Sequence, residues 1–122
     1  MRIAVCGGSC GETQCLCAWI EQRCAACGRY VQLYPFEHLN QFWAAFRPGV
    51  FHGVFLGAGD TAGFLAARRL REEDHACQII LIDDTRRYAV HSYRIHAADF
   101  VVRPITRERV GQSVERMLLR LG

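Results

Sequence analysis

The sequence predicts a doubly wound α/β fold, a five-stranded parallel sheet with five helices, in a single domain spanning residues 1–122. Three observations carry that expectation. Short runs rich in β-forming residues alternate with amphipathic helical patterns along the whole chain, as βαβ units require. Two of the runs, Val54-Phe55-Leu56 and Ile79-Ile80-Leu81-Ile82, are continuously apolar, the mark of strands covered on both faces. The length of 122 residues, with 51% hydrophobic and 22% charged, suits one globular domain with a real core.

Taken in order, Arg2 to Cys6 reads as the first strand, left through the turn Gly7-Gly8-Ser9-Cys10-Gly11. Leu16, Trp19, Ile20, Cys24 and Cys27 then recur at spacings of three and four, an amphipathic helix that Gly28 stops. Tyr30 to Tyr34 is the second strand, ended by Pro35, and a second helix runs from about Glu37 to Phe46 with Leu39, Phe42, Trp43 and Phe46 on its apolar face. Pro48-Gly49 turns the chain into the central strand at Gly53, which stops on Gly57-Ala58-Gly59. The third helix presents Phe64, Ala67 and Leu70 inward and Arg68, Arg69 and Arg71 outward. The fourth strand, Gln78 to Ile82, ends on Asp83-Asp84. A short helix from about Tyr88 to His96 leads to the strand Phe100-Val101-Val102, which closes on Arg103-Pro104. The last helix, Thr106 to Leu121, carries Val110, Val114, Met117, Leu118 and Leu121 on one face, with Thr106 at its cap. Right-handed crossovers between parallel strands then place helices on both faces of the sheet.

Composition narrows the function. The net charge of +3 rests on fifteen scattered arginines, so a nucleic-acid-binding face is not indicated for this domain. With no lysine in the chain, Schiff-base and lysine general-base chemistry are excluded. No apolar run reaches the length of a membrane span, and Met1-Arg2-Ile3-Ala4-Val5 enters a strand directly, without the regions of a signal peptide, so a cytoplasmic location is expected. Seven cysteines, an odd number, point to free thiols, although six of them lie between Cys6 and Cys27. Cys24 and Cys27 have the spacing of a redox pair or half a metal site. A pair supplies only two ligands, and both residues fall on the predicted apolar face, where cysteine acts as a small hydrophobe. Gly7-Gly8-x-x-Gly11 lacks the full spacing of a nucleotide loop, and His91 and His96 do not share a helical face. No cofactor and no metal are expected.

The run Tyr88-Ala89-Val90-His91-Ser92-Tyr93-Arg94-Ile95-His96-Ala97-Ala98-Asp99-Phe100-Val101-Val102-Arg103-Pro104-Ile105 resembles, without a gap, a segment of response-regulator receiver domains, the CheY-like group of flavodoxin-like folds. The opening Met1-Arg2-Ile3-Ala4-Val5-Cys6 is similar to the start of receivers that precede LytTR DNA-binding domains, and Ala67-Arg68-x-Leu70-Arg71 fits their third helix. The resemblance covers essentially the whole chain. It implies a regulatory, non-enzymatic domain of a two-component system, a sensor kinase as partner, and a homodimer or effector contact through the fourth helix, fifth strand and fifth helix. It also implies a cis peptide before Pro104 and a switch aromatic at Tyr88 or Tyr93.

The chemistry departs from that pattern. Receivers move a phosphoryl group onto an aspartate at the end of the third strand, using Mg²⁺ held by carboxylates, a hydroxyl and a lysine. The resemblance places the acidic pair at Gly7 and Gly8, the phosphoacceptor at Gly57, the hydroxyl at Asp83 and the lysine at Arg103. Losing nucleophile and metal ligands together removes the reaction. The sequence therefore reads as a degenerate receiver, with Arg103 and Asp83 expected to pair across the vacated pocket. Two alternatives remain at this point: a phosphoacceptor built on Asp60, Asp83 and Asp84, and a thiol or metal sensor using Cys24 and Cys27.

Overall fold

The computed structural model describes residues 1–121. Within them, five strands and five helices alternate: β1 (Arg2–Cys6), α1 (Cys10–Ala26), β2 (Gln32–Pro35), α2 (Leu39–Ala45), β3 (Gly53–Leu56), α3 (Asp60–Glu73), β4 (Gln78–Asp83), α4 (Ala89–Arg94), β5 (Asp99–Val102) and α5 (Arg107–Leu121). All pairings are parallel, in the order β2-β1-β3-β4-β5, so the predicted doubly wound sheet is present. β3 is central, and every residue from Gly53 to Leu56 is buried, as its unbroken apolar run requires.

Strand alternation sorts the core into two layers. Ala4, Val54, Leu56, Ile79 and Leu81 face α2 and α3, packing on Phe42, Ala67 and Leu70. Ile3, Val5, Phe55, Ile80, Ile82 and Val101 face α1 and α5, packing on Leu16, Ile20, Val114 and Met117. Thr106 caps α5 by accepting from Arg109 N at 3.1 Å, and the Arg103–Pro104 peptide is cis, as expected.

Several boundaries and faces differ from the sequence reading. β2 begins at Gln32 and includes Pro35 opposite Val5. An edge strand tolerates a proline because its outer side lacks a partner to receive the missing N–H bond. α1 ends at Ala26, so Cys27 is the cap residue and is exposed, not on the apolar face, while Cys24 is buried. Phe64 is half-buried, and the buried positions of α3 are Gly63, Ala66, Ala67 and Leu70. Arg71 does not point outward. Its guanidinium donates to the carbonyls of Ile95 (2.8 Å), Asp74 (3.2 Å), Cys77 (2.7 Å) and His96 (3.2 Å), tying the end of α3 to the start of β4 and the α4–β5 turn.

Candidate functional site

The carboxyl ends of β1, β3, β4 and β5 converge where ligands sit in open α/β sheets. Construction starts at Ser9, the N-cap of α1, whose Oγ accepts from Glu12 N at 3.1 Å. Glu12 Oε1 returns to accept from Gly8 N at 2.7 Å, a capping box widened by one residue. This fold-back aims the Glu12 carboxylate across the end of β3. There Arg103, the residue after β5, meets it with both arms: Nε to Oε2 at 2.7 Å and Nη2 to Oε1 at 2.9 Å. Nη2 also donates to the Gly57 carbonyl and Nη1 reaches Asp84 Oδ1 at 3.2 Å.

The two main partners are largely shielded, with side-chain exposures of 21% for Arg103 and 13% for Glu12. The Arg103 hydrogen bonds hold the Glu12 carboxyl below its ordinary pKa, and the same contacts raise that of Arg103. Both groups are charged at neutral pH. A bidentate guanidinium–carboxylate fork of this kind fixes geometry as well as charge.

Asp83 is not the partner of Arg103. Its Oδ1 accepts from Asp84 N at 2.7 Å, and only its backbone carbonyl meets Arg103, through the β4–β5 ladder. Alternation explains the difference. Asp83 continues the face of Ile79 and Leu81, toward α3, whereas Arg103 continues the face of Val101, toward α1. The acid within reach of Arg103 is therefore the one on α1.

The glycines are closely packed. A Cβ on Gly57 would lie 2.9 Å from Glu12 Oε1, 3.0 Å from Gly8 N and 3.1 Å from Cys6 O. One on Gly8 would lie 2.6 Å from Arg103 Nη2, and one on Gly7 would lie 2.5 Å from Thr13 Oγ1 and 2.8 Å from Thr13 N. The site is thus a cleft of about 320 Å³ lined by Gly8, Ser9, Glu12, Gly57, Ala58, Asp84 and Arg103, with an ion pair occupying its floor.

Against solved structures, the chain is similar to the response regulatory domain of protein mrkE from Klebsiella pneumoniae, with a TM-score of 0.75 and 16% identity over 98% of this chain and 96% of that one. A response regulator receiver protein from Pseudoalteromonas atlantica gives 0.74 and 15% identity, each chain covered in full. The response regulator DrrB of Thermotoga maritima, an OmpR/PhoB homolog, gives 0.69 and 21% identity over 98% of this chain but 53% of its own. The chain has the receiver-domain fold. No family model matches the sequence, and no curated protein matches it significantly.

On this receiver fold, the residues present do not suit the Mg²⁺ that the resemblance implies. Gly7, Gly8 and Gly57 offer no carboxylate, the Glu12 oxygens are taken by Gly8 N and Arg103, and a guanidinium stands in the cleft. Among the described residues, no cluster of three or more His, Cys, Asp or Glu could hold a metal ion. The other acids are dispersed in role: Asp60 opens α3 and pairs with Arg87 at 3.4 Å, Asp84 pairs with Arg103, and Asp83 is buried.

The two tyrosines part company. Tyr88 stacks on Phe64 with ring centroids 5.3 Å apart, and its hydroxyl hydrogen-bonds Thr61 Oγ1 at 2.6 Å, bridging α3 to the start of α4. Tyr93 is 62% exposed and stands outside that bridge. Cys24 is buried and its thiol pKa is raised by that burial, which disfavours the reactive thiolate, and all seven cysteines are free.

Two features escaped the sequence reading. Glu12 could have been found from Ser9-x-x-Glu12, the spacing of a capping box. Asp99 is the second: its 1%-exposed carboxylate receives bonds from Arg109 Nη1 (2.6 Å) and Nη2 (3.0 Å), Arg116 Nη1 (2.7 Å) and Ser113 Oγ (2.6 Å). Burial pushes its pKa up, but the Arg109 and Ser113 bonds outweigh it and leave the pKa lowered. The recurrence of Arg109, Ser113 and Arg116 at helical spacing was visible, but their common acid lies on the neighbouring strand.

Proposed function

We propose that this chain is the receiver module of a bacterial two-component response regulator in which phosphotransfer has been lost and an internal ion pair occupies the phosphorylation pocket. It is a non-enzymatic, cytoplasmic regulatory domain that acts through protein contacts on a transcriptional output of the LytTR type. The face formed by α4, β5 and α5 meets the effector. Tyr88 is the better candidate for a switch aromatic, since of the two tyrosines it is the one that bridges α3 to the start of α4.

The observation that carries this reading is the fork of Arg103 on Glu12 above Gly57. A phosphoacceptor there needs a carboxylate on β3 and neighbouring acids for Mg²⁺, and this chain has glycine at all three places. Asp83, where a hydroxyl would meet the phosphoryl oxygens, would repel them. The ion pair supplies cation and anion to the pocket from within, so the domain holds one arrangement without a phosphoryl group.

The test is to incubate the protein with acetyl phosphate and Mg²⁺ and measure its intact mass. The expected mass is unchanged. Gain of one phosphoryl group, lost in Asp60→Ala or Asp84→Ala, would overturn the reading in favour of the alternative acids.

A further inference from the structure

The spacing Cys24-x-x-Cys27 has no part in the cleft described above, and the structure gives its two thiols unequal places. Cys24 is fully buried, in the core layer of Leu16, Ile20, Val114 and Leu118. Cys27, the C-cap of α1, is exposed and lines a groove of about 540 Å³ between the ends of α1 and α5, together with Leu118 and Leu119. The turn joining them is a Schellman motif: Arg29 N donates to the Cys24 carbonyl at 2.8 Å and Gly28 N to that of Ala25 at 3.0 Å, with Gly28 at φ +71°. Residues three apart in a helical turn have Cβ atoms about 5–6 Å apart, and a disulfide needs about 3.5–4.5 Å. Cys27, at φ −91° and ψ 8°, already departs from α-helical backbone, so the remaining shift falls on the exposed cap and not on the helix. Among the described residues, no other two cysteines stand three apart on one helix. Cys10 and Cys17 are about 10 Å apart along α1, and Cys15 and Cys17 point about 200° apart around it. Cys6 and Cys77 lie in the opposite core layer, at opposite ends of their strands.

We infer that Cys24 and Cys27 form a thiol–disulfide switch at the end of α1, oxidised by low-molecular-weight disulfides. Cys27, as thiolate, attacks one sulfur of the small disulfide. A mixed disulfide forms, the original S–S bond breaks, and one small thiolate leaves and takes up a proton from water. Cys24 then gives its proton to water and attacks the Cys27 sulfur, expelling the second small thiol. The protein loses two electrons in forming its disulfide, and the small disulfide gains them in becoming two thiols. The unequal burial sets this order: the exposed sulfur meets the reagent, and the buried one, whose pKa burial raises, acts second and only on its neighbour. Closing the bond draws the Cys24 sulfur out of the layer it shares with Leu118 and ties up the thiol that lines the groove. Oxidation therefore reshapes the contact between α1 and α5. The inference does not depend on the proposed function.

The test incubates the native protein with oxidised glutathione, quenches in acid, and alkylates the remaining thiols before digestion. Trypsin cuts after Arg23 and Arg29 and so releases both cysteines in one peptide, residues 24–29. The expected peptide is unalkylated and two hydrogens lighter than the dithiol form, and dithiothreitol restores the dithiol. In Cys24→Ala, Cys27 should accumulate as the mixed glutathione disulfide to at least about ten times its wild-type level, because the neighbouring thiol no longer expels glutathione. Deuterium exchange at the Gly28 and Arg29 amides should quicken on oxidation, as the turn adjusts. Three results would each overturn the inference: a wild-type peptide that keeps two alkylated thiols or stops at the mixed disulfide, a disulfide that forms only after unfolding in urea, or amide exchange that is the same in both states.

Discussion

A double-mutant cycle on Glu12 and Arg103 probes the site most directly. Glu12→Gln keeps the shape and removes the charge, and Arg103→Gln removes the fork. Hydrogen bonds to charged groups contribute about 1.5–3 kcal/mol net, and freely exposed ion pairs about 0–1 kcal/mol. With exposures of 13% and 21% and two direct bonds of 2.7 and 2.9 Å, this pair lies nearer the first range. A coupling energy of about 2 kcal/mol is expected. Glu12→Gln alone should cost about 2 kcal/mol, since Arg103 retains Asp84 and the Gly57 carbonyl as partial compensation. For a domain of this size that corresponds to a fall in Tm of about 6–10 °C. Urea unfolding of the four proteins, followed by circular dichroism and tryptophan fluorescence, measures the coupling. A value below about 0.5 kcal/mol, the limit of ordinary additivity, would refute the claim that the pair fixes the cleft.

Three further outcomes follow from the same geometry. Gly57→Asp should destabilise by about 2 kcal/mol in urea unfolding, because its Cβ crowds Gly8 N and Cys6 O as well as Glu12, and it should not gain a phosphoryl group from acetyl phosphate by mass. Asp99→Asn should cost about 3 kcal/mol, at the low end for a broken buried pair, since Arg109 and Arg116 keep access to water; a cost below about 1 kcal/mol would show the cluster to be structurally idle. Glu12 and Asp99 both have lowered folded-state pKa values. Their stabilisation is therefore full above the unfolded carboxylate value and lost as pH falls through the folded one. Thermal stability should thus decline below about pH 4.5, with a shallower decline in Glu12→Gln.

The sheet was legible because β3 and β4 are continuous apolar runs, which few structures other than covered parallel strands accommodate. β2 was placed two residues early because an edge strand has weak patterning, and its proline resembles a terminator. Cys27 was assigned to the wrong face because helical periodicity was extended one residue past the point where α1 stops. The space beside glycine at positions 7, 8 and 57 was readable from the strand ends. What fills it was not read correctly, since two acids of the right charge, Asp83 and Glu12, competed for Arg103. Strand alternation decides between them, and that rule was available in the sequence. The fold-back of Glu12 depends on the N-cap geometry of Ser9, and the Asp99 cluster depends on α5 lying over the start of β5. Arg71 looked like a solvated charge because its acceptors are backbone carbonyls, which carry no sequence signature.

The crowding at the three glycines bears on how such a domain changes over generations. On the proposed reading, acids once stood at Gly7, Gly8 and Gly57, and each place is now obstructed by a different neighbour: Thr13, Arg103 and Glu12 with the backbone around it. An acid at any one position meets a collision before it offers a ligand: at Gly7 the start of α1 around Thr13 must move, and at Gly8 and Gly57 the Arg103–Glu12 pair must give way. On that reading, regaining the chemistry would take several simultaneous changes. On the proposed reading, such a loss would behave as a ratchet, leaving selection to work on the surfaces of the domain.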